Sequence, residues 1–213
     1  MRIGILGTGD VGQALGRGFI VLGHEVKMGS RSAGNDKAVG WAKEAGGKAS
    51  AGTFAEAASH GELVVLATLG SANESALKAA GPQTLRGKVV IDATNPLDFS
   101  GGAPQLAVGH TDSGGERVQR LLPGARVVKA FNTVGNAHMF RPRFPGGPPD
   151  MFICGNDDDA KKQVAAILSD FGWGTADLGP IESSRYLEPM CMAWVVYGAR
   201  AGTWNHAFKL LRK

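Results

Sequence analysis

The chain has 213 residues, a formal net charge of +4, and 43% hydrophobic against 20% charged residues. That length buries one substantial core, alone or with a small appended lobe, and leaves no room for two full domains. The composition excludes wholesale disorder, and the basic residues are scattered rather than clustered or interleaved with aromatics, which points to anionic small molecules and away from nucleic acid.

The first element carries the most information. Ile3, Ile5 and Leu6 make a short apolar strand that meets Gly7-x-Gly9-x-x-Gly12, and Val11, Ala14, Leu15, Phe19 and Leu22 follow at helical spacing. A strand, glycine turn and helix in this order cradle a dinucleotide. Gly7 permits the tight turn, Gly9 lets the backbone approach a pyrophosphate, and Gly12 lets the helix pack closely on the strand. Thr8 and Val11 belong to the same cradle, whose helix N-terminus offers free N–H groups and partial positive charge. Asp10 reads as the helix N-cap.

The second strand, His24 to Met28, runs into Gly29-Ser30-Arg31-Ser32 with no acidic residue at its end. An Asp or Glu about 20 residues beyond the glycines would grip a ribose 2′-hydroxyl, whereas an Arg there accommodates a 2′-phosphate. Arg31, with Ser30 or Ser32, suits that phosphate and predicts NADP(H) over NAD(H).

Further on, the pattern predicts a helix over Asp36–Ala45, a strand over Lys48–Ser50, and a helix from Thr53 to Ser59 with Thr53 as cap and Glu56 three residues on. The apolar run Glu62–Ala67 is a strand, Ser71–Ala80 a helix capped by Ser71, and Lys88–Asp92 a strand. A glycine-rich loop from Ser100 to Thr111 precedes a helix around Glu116–Leu122 and a sixth strand, Arg126–Ala130. Arg141 to Asp150, rich in Pro and Gly, is a loop. Then come a strand at Met151–Cys154, a helix over Asp157–Phe171, a strand at Gly174–Leu178, a helical segment near Pro189 and a short helix over Trp204–Leu211. Continuous apolar strands alternating with helices predict an α/β fold of Rossmann type, doubly wound, its mainly parallel sheet completed by a small C-terminal capping lobe. Residues 1–130 are the expected nucleotide-binding part, and 131–213 the part that completes the sheet and the substrate cleft.

Ligands of such sheets bind beyond the carboxyl ends of the strands. This rule selects Thr68, Leu69 and Gly70, then Thr94, Asn95 and Pro96, then Phe131, Asn132, Thr133 and Val134. Asn95 and Asn132 either hold ribose or carboxamide or simply cap turns, while Pro96 and Leu69 suit the walls of a ring site. No carboxylates, histidines and cysteines gather at metal-ligand spacing, so no metal is expected, and there is no Ser-centred nucleophile elbow. Of the five histidines only His138 falls near a predicted strand end beyond the cradle; it and Lys129 are the candidate proton donors. Cys154 and Cys191 lack metal-like or paired spacing and read as small hydrophobes in a reducing compartment. Arg2 leads straight into the first strand and the apolar stretch Met190–Ala199 is too short to span a bilayer. The expectation is a cytoplasmic protein with no signal peptide, no membrane partner and a small-molecule substrate. Met190–Val196 serves either as core or as the face of a homodimer.

Several segments together carry a family resemblance: Gly7-Thr-Gly-Asp-Val-Gly12, Leu22-Gly-His-Glu-Val26, Gly29-Ser-Arg31, Lys129-Ala-Phe-Asn-Thr-Val134, Cys154-Gly-Asn-Asp-Asp-Asp-Ala-Lys161 and Asp177-Leu-Gly-Pro-Ile-Glu-Ser-Ser-Arg185. From end to end the chain resembles the NADP-dependent deazaflavin (coenzyme F-420) oxidoreductases and, in shared segments, the oxidoreductase domain of the STEAP metalloreductases. Leu69-Gly70 departs from the archaeal deazaflavin reductases, which carry bulkier residues there; Asn95-Pro96 and Phe131-Asn-Thr133 look more like the STEAP pattern. The resemblance implies that Thr8 and Gly9 meet the phosphates of NADP, that Ser30 and Arg31 meet its 2′-phosphate, and that a second ring stacks on the nicotinamide in the cleft. That ring is a deazaflavin (coenzyme F-420) or a flavin (FMN or FAD). The alternatives are reduction of a small imine or carbonyl compound, with Lys129 or His138 as proton donor, and a non-catalytic NADP sensor.

Overall fold

The structure is a computed structural model that describes residues 1–213. The chain runs β1 (Arg2–Leu6), α1 (Asp10–Val21), β2 (Glu25–Ser30), α2 (Asp36–Ala45), β3 (Ala49–Thr53), α3 (Phe54–His60), β4 (Leu63–Leu66), α4 (Asn73–Ala80), β5 (Val89–Asp92), β6 (Leu97–Asp98), β7 (Gln105–Leu106), α5 (Gly114–Leu121), β8 (Arg126–Lys129), β9 (Asp150–Gly155), α6 (Asp158–Asp170), β10 (Gly174–Asp177) and α7 (Ser184–Ala201).

Eight strands form one sheet in the order β10-β9-β8-β5-β4-β1-β2-β3. Every neighbouring pair is parallel except β8 and β9, which meet antiparallel at Val128–Gly155 and Lys129–Cys154. Alternation along the strands divides the core in two. Ile3, Ile5, Val65 and Ile91 face α1, α2 and α6, where Leu15, Phe19, Trp41 and Val164 meet them. Leu6, Val64, Leu66 and Val90 face α3, α4, α5 and α7. All four residues of β4 are buried, as a strand covered on both faces requires. No helix is long and apolar enough to cross a membrane.

Local signals fix several helix starts. Thr53 accepts from the Glu56 amide at 3.2 Å while the Glu56 carboxylate accepts from the Thr53 amide at 2.7 Å, a complete capping box. Asn35 and Asp157 cap α2 and α6 by accepting from the amides of Ala38 and Ala160.

Three expectations are corrected. Ser71 does not cap a helix: a tight 3-10 turn over Gly70–Ala72 comes first, and α4 starts at Asn73 without a side-chain cap. The glycine-rich loop contains a short strand, β7, which pairs antiparallel with β6 just before the loop. Residues 204–211 form no helix, because their polar groups are committed elsewhere. The Phe208 carbonyl accepts from the Asp150 amide, the Leu210 amide donates to the Asp150 carboxylate, and the Trp194 indole donates to the His206 carbonyl. The tail is thereby laid along the start of β9 and over α7 instead of bonding to itself.

Candidate functional site

A cleft of about 880 Å³ opens at the carboxyl ends of β1, β2 and β4. Its centre is the turn from β1 into α1. Gly7 has φ +130°, and a Cβ placed on it would lie 2.3 Å from the Ala67 carbonyl oxygen; a Cβ on Gly12 would lie 2.4 Å from the Gly7 oxygen. Both positions need glycine for the fold alone. Gly9 is different. It has φ −75°, open to any residue, and nothing within 4 Å of where its Cβ would stand. The packing of this chain gives Gly9 no reason to be glycine, and leaves its backbone open to approach from outside the fold.

Gly9 is also the N-cap of α1, and it makes no side-chain cap bond. This corrects the reading of Asp10 as the cap: Asp10 is the first helical residue, exposed, with its carboxylate at the rim of the cleft. The first N–H groups of α1 thus remain free to meet an anion, and the partial positive charge of the helix end supports one. The residues present therefore fit a pyrophosphate.

At the end of β2, Ser30 is buried and its hydroxyl is engaged with Ser32, donating to the Ser32 carbonyl at 2.5 Å and accepting from its amide at 3.2 Å. This pair bends the chain so that Arg31 stands exposed at the cleft between them. Ser32 itself does not line the cleft; its part is the backbone of the turn.

Past β4, Thr68 and Leu69 line the cleft, and Leu69 is 75% exposed, an apolar side chain with no protein partner covering it. Sequence reasoning missed Asn35, Phe54, Ser75, Ala79 and Asn136, which also line it. The strand-end rule looks only at residues just after each strand, whereas these come from the N-cap of α2, from helices α3 and α4 and from a 3-10 turn several residues past β8.

The structure removes others from the cleft. Asn95 and Asn132 hold each other: the Asn95 amide donates to the Asn132 carbonyl at 2.8 Å, and the Asn132 amide donates to Asn95 Oδ1 at 3.1 Å and to the Leu187 carbonyl at 3.0 Å. Pro96 borders a separate hollow of about 210 Å³ between α4 and α5. Phe131, expected beside the ring site, is 1% exposed and packs on Phe171 inside the core, with a left-handed backbone, φ +62°.

Neither candidate proton donor reaches the cleft. His138 sits on a 3-10 turn, hydrogen-bonded to Asn205 and packed on Phe144. Lys129 is wholly buried, with Nζ 2.8 Å from Asp92 Oδ2 and 3.2 Å from Glu188 Oε1, and it donates to the Thr94 carbonyl. Burial by itself would lower the pKa of this ammonium, but Asp92 and then Glu188 outweigh that and hold it above the ordinary lysine value. Glu188 in turn accepts from the amides of Gly114 and Gly115 at the start of α5. The cysteines are buried too, and desolvation pushes both thiols up to about 11, so neither is a nucleophile at neutral pH.

With this geometry in view, the comparisons with known proteins agree. Residues 2–96 match the family described as NADP oxidoreductase, coenzyme F420-dependent. The F420-dependent NADP reductase of Methanothermobacter marburgensis is 33% identical over 209 residues, covering 88% of each chain. Metalloreductase STEAP3 of Rattus norvegicus is 30% identical over 88% of this chain, and that match spans only 36% of the metalloreductase. The crystal structure of a candidate F420-dependent NADP-reductase from Arthrobacter sp. FB24 superposes with a TM-score of 0.93, at 40% identity and 99% coverage of both chains. The chain belongs to the coenzyme F420-dependent NADP oxidoreductase family.

Proposed function

We propose that the protein exchanges hydride between NADP(H) and a deazaflavin or flavin ring, with a deazaflavin of the coenzyme F-420 type as the favoured partner. The observation that carries the nucleotide half is Gly9, a glycine the fold does not need, set at the open N-terminus of α1. Arg31 at the far end of the same cleft supplies a bidentate donor for a 2′-phosphate, and no carboxylate follows β2 until Asp36. Bound nicotinamide and the second ring would supply the redox chemistry.

The protein's own contribution is positioning. Backbone N–H groups of the α1 turn fix the pyrophosphate, Arg31, presented by the Ser30–Ser32 turn, fixes the adenosine end, and Leu69 offers an apolar wall that keeps water from the reacting end. Among the eighteen residues that line the cleft only Asp10 and Arg31 ionise. Nothing there is placed to deliver a proton to a carbonyl or imine, whereas a deazaflavin or flavin that accepts hydride is left as a delocalised anion that takes its one proton from water. The names of the relatives support the deazaflavin.

The test is NADPH oxidation, followed by the nicotinamide absorbance, with coenzyme F-420, FMN, FAD, a cyclic imine, a carbonyl compound and no acceptor run in parallel. Turnover with the deazaflavin in excess of either flavin is expected. Tight NADPH binding with turnover only on a cyclic imine or a carbonyl compound would overturn the proposal.

A further inference from the structure

A chain of polar groups runs from α7 to the floor of the cleft. Lys129 bridges Glu188 and Asp92; Asp92 Oδ1 accepts from the Thr94 hydroxyl at 2.6 Å and from the Thr94 amide at 3.0 Å. The Thr94 oxygen accepts from Asn73 Nδ2 at 2.8 Å, and Asn73 Oδ1 accepts from the hydroxyl of Thr68 at 2.7 Å. Lys129 and Asp92 are wholly buried, Thr94 is 3% exposed and Asn73 7%; Thr68 alone reaches the cleft.

The direction of every proton in this chain is forced. A carboxylate paired with an ammonium has no proton to give, so Thr94 must donate its single hydroxyl proton to Asp92. The Thr94 oxygen can then only accept, which turns the NH₂ end of the Asn73 amide toward it. The carbonyl end of Asn73 is left facing Thr68 and takes the proton of that hydroxyl. Thr68 therefore meets the cleft with lone pairs and no proton.

We infer that the buried chain Lys129–Asp92–Thr94–Asn73 makes Thr68 an obligate hydrogen-bond acceptor, and that Thr68 thereby selects the amide N–H of the nicotinamide carboxamide. This rests on the NADP(H) reading above. Thr68 follows β4, on the other side of the β1 turn from β2 and Arg31, so a dinucleotide with its pyrophosphate at Gly9 brings its nicotinamide end toward it. A ribose hydroxyl rotates to donate or accept and needs no fixed partner. The carboxamide has one donating and one accepting end, so an acceptor of fixed polarity orients it. Asn73, Thr94, Asp92 and Lys129 are positioning residues that act through Thr68.

The test is calorimetric binding to the full-length protein of four probes: NADP⁺, its 3-acetylpyridine analogue, which lacks the amide N–H, its nicotinic acid analogue, which presents a carboxylate, and 2′,5′-ADP. Wild type is expected to bind NADP⁺ about tenfold or more tightly than either analogue, the loss of one hydrogen bond to a buried-chain acceptor. Thr68→Val should abolish the gap to the acetylpyridine analogue and Thr68→Ser should keep it. Asn73→Ala, which frees the Thr68 hydroxyl to donate, should narrow the gap to the nicotinic acid analogue, a change that loss of packing alone does not produce; the Thr68 pair decides the matter if that variant does not fold. Binding of 2′,5′-ADP should be the same in all. Equal binding of NADP⁺ and the acetylpyridine analogue by wild type, or a gap that survives in Thr68→Val, overturns the inference while leaving the nucleotide reading standing. Failure of wild type to bind both NADP⁺ and 2′,5′-ADP overturns the two together.

Discussion

Lys129 Nζ on β8 lies 3.2 Å from Glu188 on α7, and neither side chain has more than 1% of its surface in contact with solvent. With Asp92 at 2.8 Å on the other side, one cation ties together two strands of the sheet and the last helix. Removing the cation leaves two carboxylates buried with like charge. Lys129→Met should therefore destabilise the protein by about 3–5 kcal/mol, the cost of breaking a buried pair from one side. Urea unfolding followed by tryptophan fluorescence measures it, and a loss under about 1 kcal/mol would contradict the assignment of charge to this cluster.

The three glycines of the β1–α1 turn should separate stability from binding. Gly12→Ala forces a Cβ to 2.4 Å from a backbone oxygen, and should destabilise by about 1–3 kcal/mol, the usual range for overpacking. Gly9→Ala meets nothing within 4 Å, so its melting temperature should stay close to wild type. Its methyl group nevertheless occupies the approach to the backbone, and NADPH affinity should fall by about tenfold or more, near 1.4 kcal/mol. Thermal melts paired with calorimetric titration check both.

Arg31→Ala should reduce the preference for NADPH over NADH by about 1.5–3 kcal/mol, the usual worth of a charge-assisted bond to phosphate, while NADH affinity changes little. The ratio of the two dissociation constants is the quantity to measure. An unchanged ratio would show that the 2′-phosphate is held elsewhere.

Asp112 accepts from both Arg117 and Arg120, at 3.0 and 2.9 Å. Burial opposes ionisation of this carboxyl, but the bonds from Arg120 and Arg117 outweigh it and hold the pKa at about 2 against an ordinary 3.8. A depressed carboxyl stabilises the fold above its unfolded pKa and loses that contribution as pH falls through the folded one. The two arginines are 56% and 58% exposed, so solvent screening limits the gain to about 1 kcal/mol. The difference in unfolding free energy between wild type and Asp112→Asn should be full at pH 6 and about half gone by pH 3.

Much of this protein is legible in short stretches of its sequence. The glycine turn, the capping box at Thr53 and Glu56, the absence of an acid after β2 and the apolar run of β4 are all properties of neighbours within a few residues, so spacing alone exposes them. They establish the wound sheet and the glycine turn at the centre of the cleft. The fate of the residues after β5 and β8 depends on partners far along the chain. Asn95 meets Asn132 across 37 residues, Asn132 meets the Leu187 carbonyl across 55, and Lys129 meets Asp92 and Glu188 on two other elements. A strand end says where a side chain begins but not whether a distant carboxylate or carbonyl will claim it, and burial of a charge makes such a claim binding. The tail from Trp204 likewise gave up a helix because β9 and α7 offered its backbone other partners. The sequence by itself determined the fold, the cradle and the place of Thr68 after β4; only the tertiary structure decided that Lys129 is buried between Asp92 and Glu188 and that a hydrogen-bonded chain links it to the Thr68 hydroxyl.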